Sequence, residues 1–312
     1  MRSRLAALAM ALAVVVACGP AAAVEIALTF DDLPAHSLLP PGETRVGVAR
    51  SIVAALKAAH APPVFGFVNG VQLEREPDSA PVLDLWRAAG FPLGNHTWSH
   101  PNLNLLSAAD FEADIVRNEP VVAARMAGQD WRWLRYPFLV EGDTAGKRDE
   151  VRAFLARRGY HVASVTMSFD DYAWNEPYAR CRAAGDEAAI ADLEAGYLAA
   201  AEASLAYAHD LSLKAVGRDI PYVLLMHLGA FDARMAPRLL ALYRAHGIRF
   251  VTLAQAEKDP FYAADFAAAP SPAALTLENA ARARGLAPPP RTWDPAALDK
   301  VCRPAVQPPP GA

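Results

Sequence analysis

From Val24 to about Gln255 the chain alternates short apolar runs with stretches of helical periodicity, and this alternation restricts the fold more than any other feature. Glu25 to Phe30, Val64 to Val68, Phe91 to Gly94 and Trp131 to Tyr136 read as strands, followed by Val162 to Phe169, Tyr222 to Met226 and Ile248 to Leu253. Between the first two, Arg45 to His60 places Val46, Ala49, Val53 and Leu56 on one helical face before Pro62-Pro63 ends it. Ser79 reads as an N-cap with Pro81 in the first turn, and Gly90 lies past that helix's end. Ser107 with Asp110 resembles a capping box ahead of Phe111 and Ile115. Gly159 stops the next helix, and Asp232 to His246 closes on Gly247. Repeated βα units predict an α/β fold with a parallel sheet and helices outside. About seven strands point to an incomplete, distorted (β/α) barrel, although an open doubly wound sheet has the same periodicity. Cys181 to Asp219 is long for a βα connection and reads as a helical insertion near the site.

The two ends differ from this body. Arg2 and Arg4, the apolar run Leu5 to Ala17 and the small residues Ala21-Ala22-Ala23 predict a signal peptide over 1–23, hence export to the periplasm or medium. The apolar run is shorter than the roughly 20 residues a transmembrane helix needs, so no membrane-spanning helix is expected. Val15-Val16-Ala17-Cys18 also fits a lipoprotein box with a lipid anchor at Cys18; soluble export is preferred for the Ala-x-Ala site. Residues 24–260 are expected to form the catalytic domain, and 261–312 an Ala/Pro-rich C-terminal extension, ordered in part at most. With Cys18 removed, Cys181 and Cys302 remain, a pair that in an exported protein suggests a disulfide; two free thiols are the alternative. Hydrophobic content of 53% and charged content of 21% exclude a disordered chain. A formal net charge of −4 argues against nucleic acid as a partner.

Five polar clusters fall at expected strand ends: Thr29-Phe30-Asp31-Asp32, His96-Thr97-Trp98-Ser99-His100, Arg135-Tyr136-Pro137-Phe138, Asp170-Asp171-Tyr172-Ala173-Trp174 and Leu225-Met226-His227. In a parallel barrel the strand C-termini converge, so residues far apart in sequence meet there. His96 and His100 stand four apart, the spacing that puts two rings on one face of a helical turn. Two imidazoles and a carboxylate make a divalent-metal site with open positions, and of two adjacent carboxylates one can ligate while its neighbour stays free as a base. Each cluster alone has a plainer explanation. Adjacent Asp residues are usually a turn or cap, and His-x-x-x-His arises by chance. Arg135 alone suggests a surface ion pair, Trp174 core packing and His227 a buried histidine. Their joint occurrence in order argues for chemistry.

Taken together, the clusters resemble the ordered motifs of the polysaccharide deacetylases, the NodB-homology group of carbohydrate esterase family four, over about Val24 to Gln255. The resemblance implies a distorted (β/α) barrel and hydrolysis of acetyl groups from an N- or O-acetylated glycan of chitin, peptidoglycan or xylan type. It implies a divalent metal, zinc with cobalt or nickel as substitutes, on Asp32, His96 and His100. Asp31 would be the catalytic base, Arg135 its orienting arginine and His227 the general acid. The Phe138 backbone N–H would face the oxyanion, with Leu225 and Trp174 around the acetyl methyl. The pattern departs at one point. The acid expected just before Trp174 and paired to Arg135 is Ala173 here, and Asp170, which follows the strand directly, is expected to replace it in preference to Asp171.

Two rival accounts remain. A small-molecule amidohydrolase on the same fold is opposed by export and by the full Asp32, His96 and His100 set. A non-catalytic glycan-binding protein draws its support from Ala173. His36, His60, His161, His209 and His246 read as structural or surface residues, with His36 close enough to Asp32 to line a cleft. Tyr178 and Tyr197 are aromatic candidates for stacking on sugar rings or for packing.

Overall fold

The computed structural model describes residues 23–263 and 276–303. The expected signal peptide and Cys18 lie almost wholly outside these residues. Seven parallel strands form one sheet: β1 (Glu25–Leu33), β2 (Phe65–Val68), β3 (Leu93–Asn95), β4 (Trp133–Leu134), β5 (His161–Val162), β6 (Tyr222–His227) and β7 (Arg249–Val251). Their order is β5-β4-β3-β2-β1-β6. β7 pairs with β1 at Glu25–Ala27 while β6 pairs at Ile26–Asp31, so β7 occupies the β1 edge opposite β6, ahead of β2. The segment after β5 returns to β6 through a parallel bridge between Met167 and Leu224, which curls the sheet into a half-barrel. The incomplete-barrel expectation is the one the fold meets.

Alternation along β1 explains what lies inside. Ile26, Leu28 and Phe30 pack outward into the main core under the helices. Ala27 joins a smaller inner cluster with Phe65, Phe67, Trp133 and Val223. The period of two then turns Thr29 and Asp31 inward as well. Burying each Leu, Ile or Phe side chain of the outer layer stabilises the fold by about 1.5–3 kcal/mol.

Helices cover the outer face, and most begin on a side-chain cap. Thr44 accepts from the Gly47 N–H at 3.0 Å to open Arg45–Ala58, which buries Val48, Ala49, Ile52, Ala55 and Leu56. Ser107 accepts from the Asp110 N–H to open Ala108–Met126. Ser79 does not cap the helix Pro81–Ala88 as expected. It lies in a preceding 3-10 turn, and its hydroxyl donates to the Glu76 carbonyl at 2.6 Å. The long connection after β5 is helical, with Asn175–Ala184 and the Ala-rich Glu187–Ala215. Tyr178 and Tyr197 on these helices are buried, which removes them as sugar platforms. Among the described residues no helix is long and apolar enough to cross a membrane.

Beyond β7, residues 276–303 lie back against the long connection. Leu277, Ala280 and Ala281 of the helix Leu277–Ala283 are buried in the main core. Arg180 donates to the Val301, Leu298 and Asp299 carbonyls, and Cys302 forms a disulfide with Cys181. The bridge closes a span of 121 residues, so Cys302→Ser is expected to cost about 2–4 kcal/mol of stability. Denaturant unfolding with and without reductant measures this; equal midpoints for wild type under both conditions would contradict it.

Candidate active site

Asp31 and Asp32 lie just before Leu33 at the end of β1, where the pleat alone would point them to opposite faces. The β1–β2 register shifts between Phe30 and Leu33, and Asp32 takes a φ of 61°. That left-handed backbone brings its carboxylate round to the same cleft as Asp31. Positive φ recurs at His100, Phe138, Leu139 and Asp170, which line this opening, and at the buried Thr97 between the two histidines.

His96 and His100 do not share a helical turn. Residues 96–100 form an irregular loop after β3, and the left-handed Thr97 and His100 bring the rings together, 4.8 Å between centroids. Buried amides hold the loop. The Asn69 side chain donates to the His96 carbonyl at 2.6 Å, and Asn95 Oδ1 accepts from the Thr97 N–H at 2.8 Å. Asn118 donates to Asn95 Oδ1 at 2.9 Å and to the Val68 carbonyl at 2.6 Å, tying the loop to β2. Gly70 is required beside it, because a Cβ there would meet the Trp98 ring at 2.4 Å.

Asp32 Oδ1 lies 3.6 Å from the Nε2 atoms of both His96 and His100. Ligands about 2.0–2.1 Å from a tetrahedral ion stand roughly 3.3 Å apart, so the spacing suits one metal. Asp32, His96 and His100 are also the one group of three or more His, Cys, Asp or Glu with such spacing among the described residues. The protonation states fit too. His96 Nδ1 contacts the Arg135 carbonyl at 2.7 Å, which leaves Nε2 as the lone-pair donor. Burial and the neighbouring His96 lower the His100 pKa to about 4, so its ring is neutral at pH 7. Burial by itself would raise Asp32, but the hydrogen bond from His36 and the surrounding imidazoles outweigh it and hold the carboxyl far below its ordinary range.

Arg135 sits inside the barrel, almost wholly buried, over the Phe67 ring. Its Nε donates to the Ala163 carbonyl at 2.7 Å and Nη2 to Thr29 Oγ1 at 3.1 Å. Nη1 stands 3.3 Å from both oxygens of Asp31. Asp31 is the acid that Arg135 holds.

The fourth cluster is arranged differently from the expectation. Asp170 does not reach Arg135; its carboxylate accepts from Trp293 Nε1 at 2.9 Å and pairs with Arg291 at 3.2 Å. Its left-handed backbone and position at the rim turn it towards the C-terminal segment. Asp171 is the buried acid, and it serves His227: its Oδ2 accepts from the His227 N–H at 2.6 Å, and Oδ1 lies 2.9 Å from Nδ1. Burial alone would lower the His227 pKa, but the Asp171 carboxylate overrides it and raises it to about 10. Asp170 lines the cleft, but Trp174 does not. Trp174 packs against Tyr197 and Phe231, with Gly196 beneath its ring.

These groups face a cavity of about 450 Å³, which Asp31, Asp32, His96, His100, Leu225 and His227 share with Phe138. It also takes in five residues for which the sequence suggested no role: Tyr136, Leu139, Ser168, Tyr172 and Arg291. Phe138, 60% exposed, and Tyr172, 47% exposed, stand at its mouth, with the Phe138 ring 4.6 Å from His100. Arg291 lies in the Ala/Pro-rich region, where no local pattern marks it. His36 lines the wall as well, and its four-residue distance from Asp32 was the available signal.

Residues 19–163 match a family model described as polysaccharide deacetylase. The chain is 30% identical over 121 residues to a chitin deacetylase of Colletotrichum lindemuthianum, covering 36% of this chain and 43% of the relative. It is 30% identical over 120 residues to a peptidoglycan-N-acetylglucosamine deacetylase of Bacillus cereus, covering 38% of each. The matched stretch therefore spans less than half the length of these relatives. The solved chitin deacetylase from C. lindemuthianum superposes with a TM-score of 0.51 at 23% identity, covering 75% of this chain and 87% of that one. A family-four pseudoenzyme from Bacillus anthracis gives 0.51 at 15% identity, covering 75% and 66%. At these identities the structural likeness speaks for the fold alone.

Proposed function

We propose that the chain, whose residues 19–163 match the polysaccharide deacetylase model, is an exported, metal-dependent hydrolase that removes acetyl groups from an N-acetylated glycan. The observation that carries the reading is one cavity that joins three parts: two imidazoles and a carboxylate spaced for one metal, an acid held by Arg135, and a histidine held by Asp171.

Asp32, His96 and His100 would hold the metal, with zinc the best fit to two nitrogens and one carboxylate. Bound there, it supplies polarisation of the acetyl carbonyl and a water of lowered pKa. Asp31 takes a proton from the attacking water, and the Arg135 guanidinium fixes its orientation. The water oxygen joins the carbonyl carbon, with the developing oxyanion facing the Phe138 N–H. His227, protonated at neutral pH, gives its proton to the departing nitrogen as the C–N bond breaks, and acetate is left. Leu225 is the wall available to the acetyl methyl; Trp174 takes no part. The exposed Phe138 and Tyr172 rings at the mouth suit sugar faces.

Export is supported by the N-terminal sequence pattern and by the Cys181–Cys302 disulfide, since such bridges persist in oxidising compartments. The non-catalytic reading rested on Ala173; against it, Arg135 pairs with Asp31 and the neighbouring Asp171 pairs with His227. Acetate release from chitin oligomers, peptidoglycan fragments and acetylxylan tests the proposal. Release from an N-acetylated glycan is expected. Release from acetylxylan alone would move the substrate to an O-acetyl ester, and silence on all three with metal bound would favour a small-molecule amide or a binding role.

A further inference from the structure

The loop after β1 is built to press one imidazole against Asp32. Arg45 donates to the His36 carbonyl and to the Ser37 carbonyl, both at 2.7 Å. The same guanidinium is clamped by Glu76 at 2.7 and 2.8 Å, so the loop is fastened to the chain ahead of the helix Pro81–Ala88. Held this way, His36 Nδ1 lies 2.9 Å from Asp32 Oδ2. The two oxygens of Asp32 thus have separate partners: Oδ1 faces His96 and His100, and Oδ2 faces His36.

His36 is not itself in the metal set, which comprises Asp32, His96 and His100. Its other nitrogen, Nε2, is buried without a hydrogen-bond partner among the described residues, an arrangement that costs about 1–3 kcal/mol. That cost is tolerated in a ring placed for its Nδ1 contact. The ring also lies 4.7 Å from the His227 ring with 33° between planes, so it backs the opposite side of the cleft.

We propose that His36 is a positioning residue that fixes Asp32 as a one-oxygen metal ligand by donating from Nδ1 to Oδ2, and that it braces the His227 ring. The inference rests on the metal-dependent reading above. Hydrogen bonds to a ligand carboxylate typically change metal affinity by about 10–100-fold when removed.

Three variants separate its contributions. His36→Phe keeps an aromatic ring against His227 but loses the donor, His36→Asn keeps a donor near the Nδ1 position, and His36→Ala loses both. Zinc affinity is measured by competition with a chromophoric chelator, with folding checked by circular dichroism and kcat and KM taken at saturating zinc. His36→Phe is expected to bind zinc about 10–100-fold more weakly than wild type. His36→Asn should recover most of that loss, which a purely structural role would not predict. His36→Ala should lose affinity as His36→Phe does and also lower kcat at saturating zinc. Wild-type affinity in folded His36→Phe, or equal weakness in His36→Phe and His36→Asn, would overturn the inference and leave the metal reading standing. Absence of zinc binding by the wild-type protein would overturn both.

Discussion

Replacing Asp31 with asparagine is expected to leave metal binding at Asp32, His96 and His100 intact and to lower acetate release by about 10³-fold, within the range that general base catalysis contributes. The separation of effects follows from the site. Asp32 Oδ1, not Asp31, stands equally near the two histidine nitrogens, and Asp31 is turned towards Arg135. An amide in its place still accepts a hydrogen bond from Nη1 but cannot take a proton from water. Arg135 keeps Thr29 and the Ala163 carbonyl but loses a buried counter-charge, and breaking such a pair costs about 3–5 kcal/mol. Activity is therefore compared well below the variant's lowered melting point. Metal content lost along with activity would show that Asp31 is a ligand and would sink the division of roles.

Asp171→Asn is expected to lower kcat by about 10²- to 10⁴-fold near neutral pH and to move the alkaline limb of its pH profile to lower pH. In the wild type Asp171 overrides the effect of burial and raises His227 from 6.5 to about 10. Without that charge, burial dominates and the ring loses its proton earlier. The same pair links stability to pH. A histidine whose folded pKa is raised contributes stability that is complete below about 6.5 and is lost as pH rises through about 10. The difference in unfolding free energy between wild type and Asp171→Asn should therefore be largest below pH 6.5 and close towards pH 10. Unchanged alkaline limbs in the two proteins would identify another group as the acid.

Local patterns made much of this legible. The period of two in β1 and the βα alternation specify a parallel sheet, and the sheet alone brings Asp31 beside His227, its register partner on β6. What the pattern could not reach lies in irregular backbone. His96 and His100 meet through two left-handed residues in place of a helical turn, and Asp32 enters the cleft through a register shift. Choosing between Asp170 and Asp171 required knowing where a left-handed residue sends its side chain. Trp174 carried a motif position but sits where Tyr197 and Phe231 leave room for it. Arg291 depends on a long-range return of the chain, fastened by a disulfide, that no local periodicity encodes.

The most direct test of the central claim is the titration of activity against bound metal. Protein stripped with a chelator and reloaded with zinc is assayed for acetate release from N-acetylglucosamine oligomers. Activity should vanish on stripping and return in proportion to zinc, reaching its plateau at about one equivalent, as a single Asp-His-His site requires. Full activity in metal-free protein, or stoichiometric zinc binding that survives replacement of both His96 and His100 with alanine, would contradict it.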